Sequence, residues 1–354
     1  MIAKLQKKPR FGAGRRAASV SVETMVTMQP LVPGVMLPLL ARPAVAGVDL
    51  IAWAKNHLDV IHVNLLQHGA ILFRGFELRG PEALAEFIRA TADGDLLSYT
   101  NRSTPRTEIG ANVYTATEYP ANQVIPLHNE NSYQSSWPLK IYFFCVIAPG
   151  QGGATPIADS RKVFERIPPR IREEFANRGV MYVRNYGDNL DLSWQQVFQT
   201  SDRSQVEEFC RREGLEFEWK DGDRLRTRQI CHAVASHPDT GELVWFNQAH
   251  LFHVSGLEPE VREYLLTEVT EAELPRHAYF GDGTPIEDSS LAEIRAAYDK
   301  ETVTFAWQEG DILLVDNMLT AHGRESFVGP RKILVGMAEP HREHHKSKRQ
   351  RRGI

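Results

Sequence analysis

A chain of 354 residues, 42% hydrophobic and 24% charged, is long enough to bury a large core without disulfide staples and has the make-up of an ordinary soluble globular protein. Its formal net charge of −4 argues against a nucleic-acid binder, which is normally basic. The three cysteines, Cys145, Cys210 and Cys231, are scattered with no Cys-x-x-Cys spacing, which argues against a zinc knuckle or disulfide framework and points to a reducing cytoplasm; no apolar run approaches the length of a membrane span.

The two ends differ from the rest. Met1 to about Met28 reads as a basic disordered arm, with Lys4, Lys7, Lys8, Arg10, Arg15 and Arg16 ahead of any acidic residue. No continuous apolar stretch follows them, so the arm is not a secretory signal. His341 to Ile354 is a second basic tail, and its His344 and His345 are expected to be solvated. Residues 29–340 read as one domain, since neither a repeat nor a Gly/Ser-rich linker divides them.

Along that domain, Asp49 to Gln67 places Leu50, Trp53, Ala54 and Leu58 at helical spacing. Gly69 to Phe76 is a short β-rich run bounded by glycine. Pro81 opens a helix with Leu84, Phe87 and Ile88 on one face. Ile141 to Ile147 is continuously apolar, the pattern of a strand buried on both faces. The pair Gly152-Gly153 lets the chain turn tightly before Ala154-Thr155, and Asp159 and Ser160 are good caps for a following helix. Residues from about 161 to 300 look like a helical insertion, with helices near Pro169–Ala176, Gln205–Arg212, Pro259–Val269 and Leu291–Asp299. In the third, Val261, Tyr264, Leu265 and Val269 share a face.

The chemistry is carried by His128-Asn129-Glu130. On an extended strand residues i and i+2 face the same way, so the His128 imidazole and the Glu130 carboxylate converge. That would supply two ligands of a His/His/carboxylate site with open positions on iron; taken alone, the motif reads more readily as a surface His beside a solvated Glu, and the second half of the chain decides between them. The third is His322, following the buried strand Gly310–Asn317 and placed at the rim of a strand pair. Arg331 opens the next strand, nine residues past His322, where a guanidinium can grip a carboxylate with two parallel N–H bonds.

These blocks, with Gly152-Gly153-Ala154-Thr155, resemble the TauD/TfdA superfamily of Fe(II)- and 2-oxoglutarate-dependent oxygenases. Asn101 to Thr107, Gly110 to Tyr114, Thr117 to Pro120 and Ala158 to Arg161 resemble one branch of it, the syringomycin-biosynthesis-type hydroxylases, and Glu130 in place of the commoner Asp is shared with the clavaminate synthase type. The resemblance implies an α+β fold, a distorted double-stranded β-helix (jelly roll) with flanking helices. It implies Fe(II) on His128, Glu130 and His322, with 2-oxoglutarate and O₂ as co-substrates. Thr155 and Arg331 would hold the distal carboxylate of 2-oxoglutarate, with Lys332 the weaker candidate because it alternates to the other strand face.

The implied substrate is an amino acid, free or as an aminoacyl group on a carrier protein. Arg102, in a loop with Ser103 and Thr104, would meet its carboxylate or a phosphopantetheine arm, or else make a surface ion pair. Trp245 to Gln248 is placed beside the substrate, with Asn247 as a contact; the alternative is a strand with two polar residues at its end. Relatives often carry a further arginine deeper in the Arg331 strand for a substrate anion, but Val335-Gly336-Met337 stand there, which disfavours a sulfonate such as taurine. Halogenating relatives replace the carboxylate ligand with a small residue, so Glu130 points to hydroxylation; desaturation or cyclisation at the same site stays open. Two readings come from other classes. A redox-silent cupin-type metalloenzyme has no use for a Thr155/Arg331 clamp. A non-catalytic assembly-line partner would tolerate a missing ligand, and none is missing.

Overall fold

The computed structural model describes residues 25–97, 107–110, 112–116, 119–187 and 191–342. Arg102, Ser103, Thr104, His344 and His345 lie outside the described residues.

The apolar run predicted as a buried strand is the C-terminal part of Ser136–Ile147, which lies inside an eight-stranded sheet. From edge to edge that sheet runs Val26–Val32, Val35–Pro43, Ala70–Phe73, Ile312–Asp316, Ser136–Ile147, Lys332–Arg342, Val113–Thr115 and Glu108–Gly110. All of Ile312–Asp316 is buried, and its alternate side chains feed two different cores. Ile312 and Leu314 join Leu84, Phe87 and Ile88 of the helix Gly80–Thr91 on the outer face. Leu313 and Val315 join Phe143, Ile333, Val335 and Trp307 on the inner face.

Opposite the inner face lies a three-stranded sheet with Thr320–Arg324 in the middle, flanked by Ile125–His128 and Ile157–Asp159. The chain passes repeatedly between the two sheets: 125–128 small, 136–147 large, 157–159 small, 312–316 large, 320–324 small, 332–342 large. This is the double-stranded β-helix expected from the resemblance, and it brings strand ends from distant parts of the chain to one mouth.

Several boundaries differ from the sequence reading. The basic arm was expected to reach Met28, but Val26–Val32 is an edge strand paired with Val35–Pro43. The tail was expected from His341, yet the last strand runs through Arg342 and the His341 ring packs on Trp137, with centroids 5.2 Å apart. Asp49 to Gln67 forms two helices, Leu50–Lys55 and Leu58–His68. The first is capped by Asp49, which accepts from the Ile51 and Ala52 amides.

The insertion is not purely helical. The four expected helices are present as Pro169–Arg178, Arg203–Glu213, Pro259–Glu268 and Asp288–Glu301. An antiparallel sheet accompanies them, ordered Glu216–Lys220, Arg224–Cys231, Val180–Tyr186, Arg276–Phe280. The Arg224–Cys231 strand alternates Arg with buried Leu225 and Thr227, so it never forms the apolar run that marks a strand buried on both faces. The helix Pro259–Glu268 has no buried residue, and Val261 and Tyr264, expected to face a core, are exposed.

Candidate metal centre

His322 sits in the central strand of the small sheet rather than at its rim, in register with His128 on one side and Ile157 on the other. The two imidazole centroids are 4.6 Å apart, and Phe143 packs edgewise on His322 at 5.1 Å. His128 Nδ1 lies 2.8 Å from the Pro126 carbonyl. A carbonyl only accepts, so Nδ1 carries the proton and Nε2 keeps its lone pair for a metal.

Glu130 reaches the same point by another route than the one predicted. The strand ends at His128, and Glu130 lies in the turn beyond it, so strand alternation does not place it. Asn317 places it instead. The Glu130 amide donates to Asn317 Oδ1 at 2.7 Å, and Asn317 Nδ2 donates to the carbonyls of Glu130 and Pro138, both at 2.9 Å. Asn129 Nδ2 returns a bond to the Asn317 carbonyl at 2.7 Å, and Gln248 Nε2 donates to the Asn129 carbonyl at 2.7 Å. His250 adds a bond from Nε2 to the Leu127 carbonyl at 3.0 Å, and burial pushes its pKa down to about 4, so this ring is a neutral donor.

One ligand atom from each of His128, Glu130 and His322 lies within 4.8 Å of the others, and His322 Nε2 is 4.0 Å from Glu130 Oε2. Among the described residues this is the one group of three or more His, Cys, Asp or Glu side chains close enough to hold an ion. Two neutral imidazoles and one carboxylate fit a divalent iron that keeps open positions.

The cavity beside this group is lined by His128, His322, Phe143, Thr155, Arg324 and Arg331. Arg331 Nε donates to the Gly153 carbonyl at 2.9 Å and Nη2 approaches Thr155 Oγ1 at 3.4 Å, while Lys332 is exposed. Burial first, and then the like charge of Arg324, push the Arg331 guanidinium down to about 10, which leaves it charged at neutral pH. Trp307 Nε1 donates to Thr155 Oγ1 at 3.1 Å. With two N–H groups on its oxygen, the Thr155 hydroxyl is left to donate its own hydrogen elsewhere. The glycine pair is required by close approach. At φ +67° and +69°, Cβ atoms on Gly152 and Gly153 would lie 2.3 Å from the Ser326 carbonyl oxygen and 2.9 Å from Phe327 Cβ.

Asn247, expected as a substrate contact, is fully buried and spends its amide on the backbone: Nδ2 donates to the Ala233 carbonyl at 2.8 Å and Oδ1 accepts from the Ala249 amide at 3.0 Å. It is a turn-holding residue, and it is its neighbour Gln248 that touches the ligand loop. Asn317, Trp307 and Arg324 were missed by the sequence reading. A signal existed for two of them. Asp316-Asn317 is a polar pair closing an apolar strand, and Arg324 stands two residues after His322, on the same strand face.

The model of the taurine catabolism dioxygenase TauD, TfdA family matches residues 30–338. The dapdiamide synthesis protein DdaC of Enterobacter agglomerans is 39% identical over 314 residues, covering 88% of this chain and 94% of that protein. A clavaminate synthase-like protein of Arabidopsis thaliana is 30% identical over 318 residues, covering 87% and 92%. Among solved structures, PvcB, described as an Fe, alpha-ketoglutarate dependent oxygenase from an isonitrile synthetic pathway, matches with a TM-score of 0.56 at 17% identity, over 93% of this chain and 98% of its own. A separate structure of PvcB from Pseudomonas aeruginosa gives 0.55. That likeness is one of fold; the family match and the two sequence relatives carry the assignment. The chain belongs to the taurine catabolism dioxygenase TauD, TfdA family and is an Fe(II)- and 2-oxoglutarate-dependent dioxygenase.

Proposed function

We propose that this dioxygenase hydroxylates an unactivated C–H of an amino acid, free or carried as an aminoacyl group on a carrier protein, in a biosynthetic pathway of the nonribosomal-peptide type in the cytoplasm. His128 Nε2, the Glu130 carboxylate and His322 would hold the iron, and Thr155 and Arg331 the distal carboxylate of 2-oxoglutarate. The observation that carries this reading is the convergence of the three donors beside Arg331, which has no carboxylate partner among the described residues. A redox-silent metalloenzyme would have no use for that buried cation. Similarity to a dapdiamide synthesis protein supports the biosynthetic setting. Among the described residues no helix is long and apolar enough to cross a membrane.

Bound iron, with 2-oxoglutarate and O₂, supplies the oxidising power, and the protein supplies position and exclusion of water. The Pro126 carbonyl orients the His128 ring, and Asn317 holds the Glu130 turn. Thr155, whose oxygen already accepts from Trp307 and Arg331, would donate its hydroxyl hydrogen, and Arg331 its charge, to the co-substrate tail. Phe143 and Val335 line the cavity as an apolar wall that would keep water from the reacting carbon. Glu130 would fill, with a full carboxylate, the ligand position that halogenating relatives leave to chloride, which favours hydroxylation over chlorination.

The test is anaerobic titration of Fe(II) and 2-oxoglutarate into the wild-type chain and His322→Ala, followed by succinate release over amino acids and aminoacyl carrier proteins. The wild type shows the weak visible charge-transfer band of the chelate and the variant loses it. An unchanged band in His322→Ala would place the metal elsewhere.

A further inference from the structure

The cavity holds a second cation that the co-substrate does not account for. Arg324 lies on the same strand face as His322, and its side chain is 6% exposed. One Nη donates to the Tyr119 carbonyl at 2.9 Å, and the other to the Pro120 and Gln123 carbonyls, both at 2.7 Å. Those bonds tie down residues 119–123, just before the His128 strand. The remaining group, the Nε–H, is buried with no hydrogen-bond partner. Among the described residues no carboxylate lies within ion-pair distance of Arg324, and the like charge of Arg331 lines the same cavity.

Buried guanidiniums are normally paired, and an orphaned buried N–H normally marks an absent acceptor. Glu130 brings one negative charge to the site, and Arg331 and Arg324 bring two positive ones. A divalent iron adds two positive charges and 2-oxoglutarate two negative ones, so one positive charge is left over. The place where relatives often carry an anion-binding arginine, deeper in the last strand, is closed here. Val335 lines the cavity as an apolar residue, and Gly336 faces Ile88 so closely that even a Cβ would lie 2.3 Å from it. Arg324 supplies a cation to the same space from the neighbouring strand.

We propose that Arg324 reads a monoanionic group on the substrate, a carboxylate by preference, so that the substrate enters as an acid rather than as a neutral molecule. This rests on the reading of His128, Glu130, His322, Thr155 and Arg331 given above, and it narrows the substrate class. An α-aminoacyl thioester has lost its α-carboxylate, so a carrier-borne substrate would need a second acid, whereas a free amino acid already has one.

The experiment uses the full chain with 2-oxoglutarate bound. Propionate, propionamide and methanesulfonate are titrated by calorimetry, without O₂, into wild type, Arg324→Gln and Arg324→Lys; the Fe(II)·2-oxoglutarate band is recorded in parallel. Wild type binds propionate at least tenfold more tightly than propionamide. Arg324→Gln loses that preference, and Arg324→Lys keeps it, because the charge and not the loop-tying fork is what the anion senses. Methanesulfonate binding as well as propionate would widen the class to sulfonates while keeping the anion requirement. Equal binding of acid and amide by wild type, or equal loss in the Gln and Lys variants, would overturn the proposal and leave Arg324 as a tie for the 119–123 loop. Absence of the band in wild type would instead strike at the metal and co-substrate reading, while loss of the propionate preference in Arg324→Gln but not in Arg324→Lys would still assign the anion to Arg324.

Discussion

Asn317→Ala tests whether the carboxylate ligand is positioned by one buried amide. The Asn317 side chain is fully buried and makes three hydrogen bonds, one accepted from the Glu130 amide and two donated to the Glu130 and Pro138 carbonyls. Each is worth about 1 kcal/mol net, and each buried group left without a partner adds to the loss, so removal costs roughly 3–6 kcal/mol. That is a large part of the ~5–15 kcal/mol that holds a typical domain folded, and the alanine variant is expected to be hard to keep folded. Asn317→Asp is the sharper perturbation. An aspartate oxygen still accepts from the Glu130 amide, but it cannot donate to the two carbonyls. Denaturant unfolding measures the stability loss, and anaerobic Fe(II) titration of the folded fraction measures the metal site. Outer partners of a ligand typically set about 10–100-fold in metal affinity, so Asn317→Asp is expected to weaken Fe(II) binding by at least ~10-fold. A variant that loses stability but binds Fe(II) as wild type does would refute the reasoning, and would mean that Glu130 finds its place without Asn317.

Other outcomes follow from the same geometry. Arg331→Ala removes one partner of a charge-assisted pair worth about 2–5 kcal/mol, so the apparent 2-oxoglutarate constant rises ~30-fold or more, while Lys332→Ala, at an exposed position, changes it little; the reverse order would show the strand facing the other way. The His253 and His277 rings pack tilted with centroids 4.3 Å apart, and burial holds both down to about 4, each also repelled by a neighbouring cation; Asp288 and Glu271, at 3.7 and 3.6 Å, are half exposed and do not offset this. In the unfolded chain these rings titrate near 6.5, so their contribution to stability is present above that pH and is lost as pH falls from about 6.5 toward 4, by about 2 kcal/mol per ring between pH 7 and pH 5. Replacing both with Gln should flatten that part of the urea-midpoint profile, and an unchanged slope would assign it to other groups. In excess chloride under O₂ the product should gain one oxygen by mass and no chlorine; a chlorinated product from the unmutated chain would overturn the role given to Glu130.

The sequence by itself determined which side chains have the chemistry to bind a metal or a carboxylate and which segments repeat at helical or strand period. His128, Glu130, His322 and Arg331 stand out because their types and local spacing suit metal and carboxylate binding, Thr155 through the family resemblance, and the Pro81 helix and the Ile141–Ile147 strand because an apolar pattern is a local property. The structure brings the first three together and sets Thr155 against Arg331. What only the tertiary structure decided is how those groups are aimed. Glu130 is set by an amide 187 residues away, Thr155 is turned into a donor by Trp307, 152 residues away, and Arg324 enters the cavity because Thr320–Arg324 lies between two strands from the first half of the chain. Such contacts depend on strand register and on the spacing of two sheets, and no short stretch of residues encodes either. The four-stranded sheet of the insertion escaped for a related reason. Its Arg224–Cys231 strand alternates arginine with buried residues and Glu216–Lys220 alternates acidic with half-buried aromatic ones, so burial on one face shows only once the partner strands and the packed helices are in place.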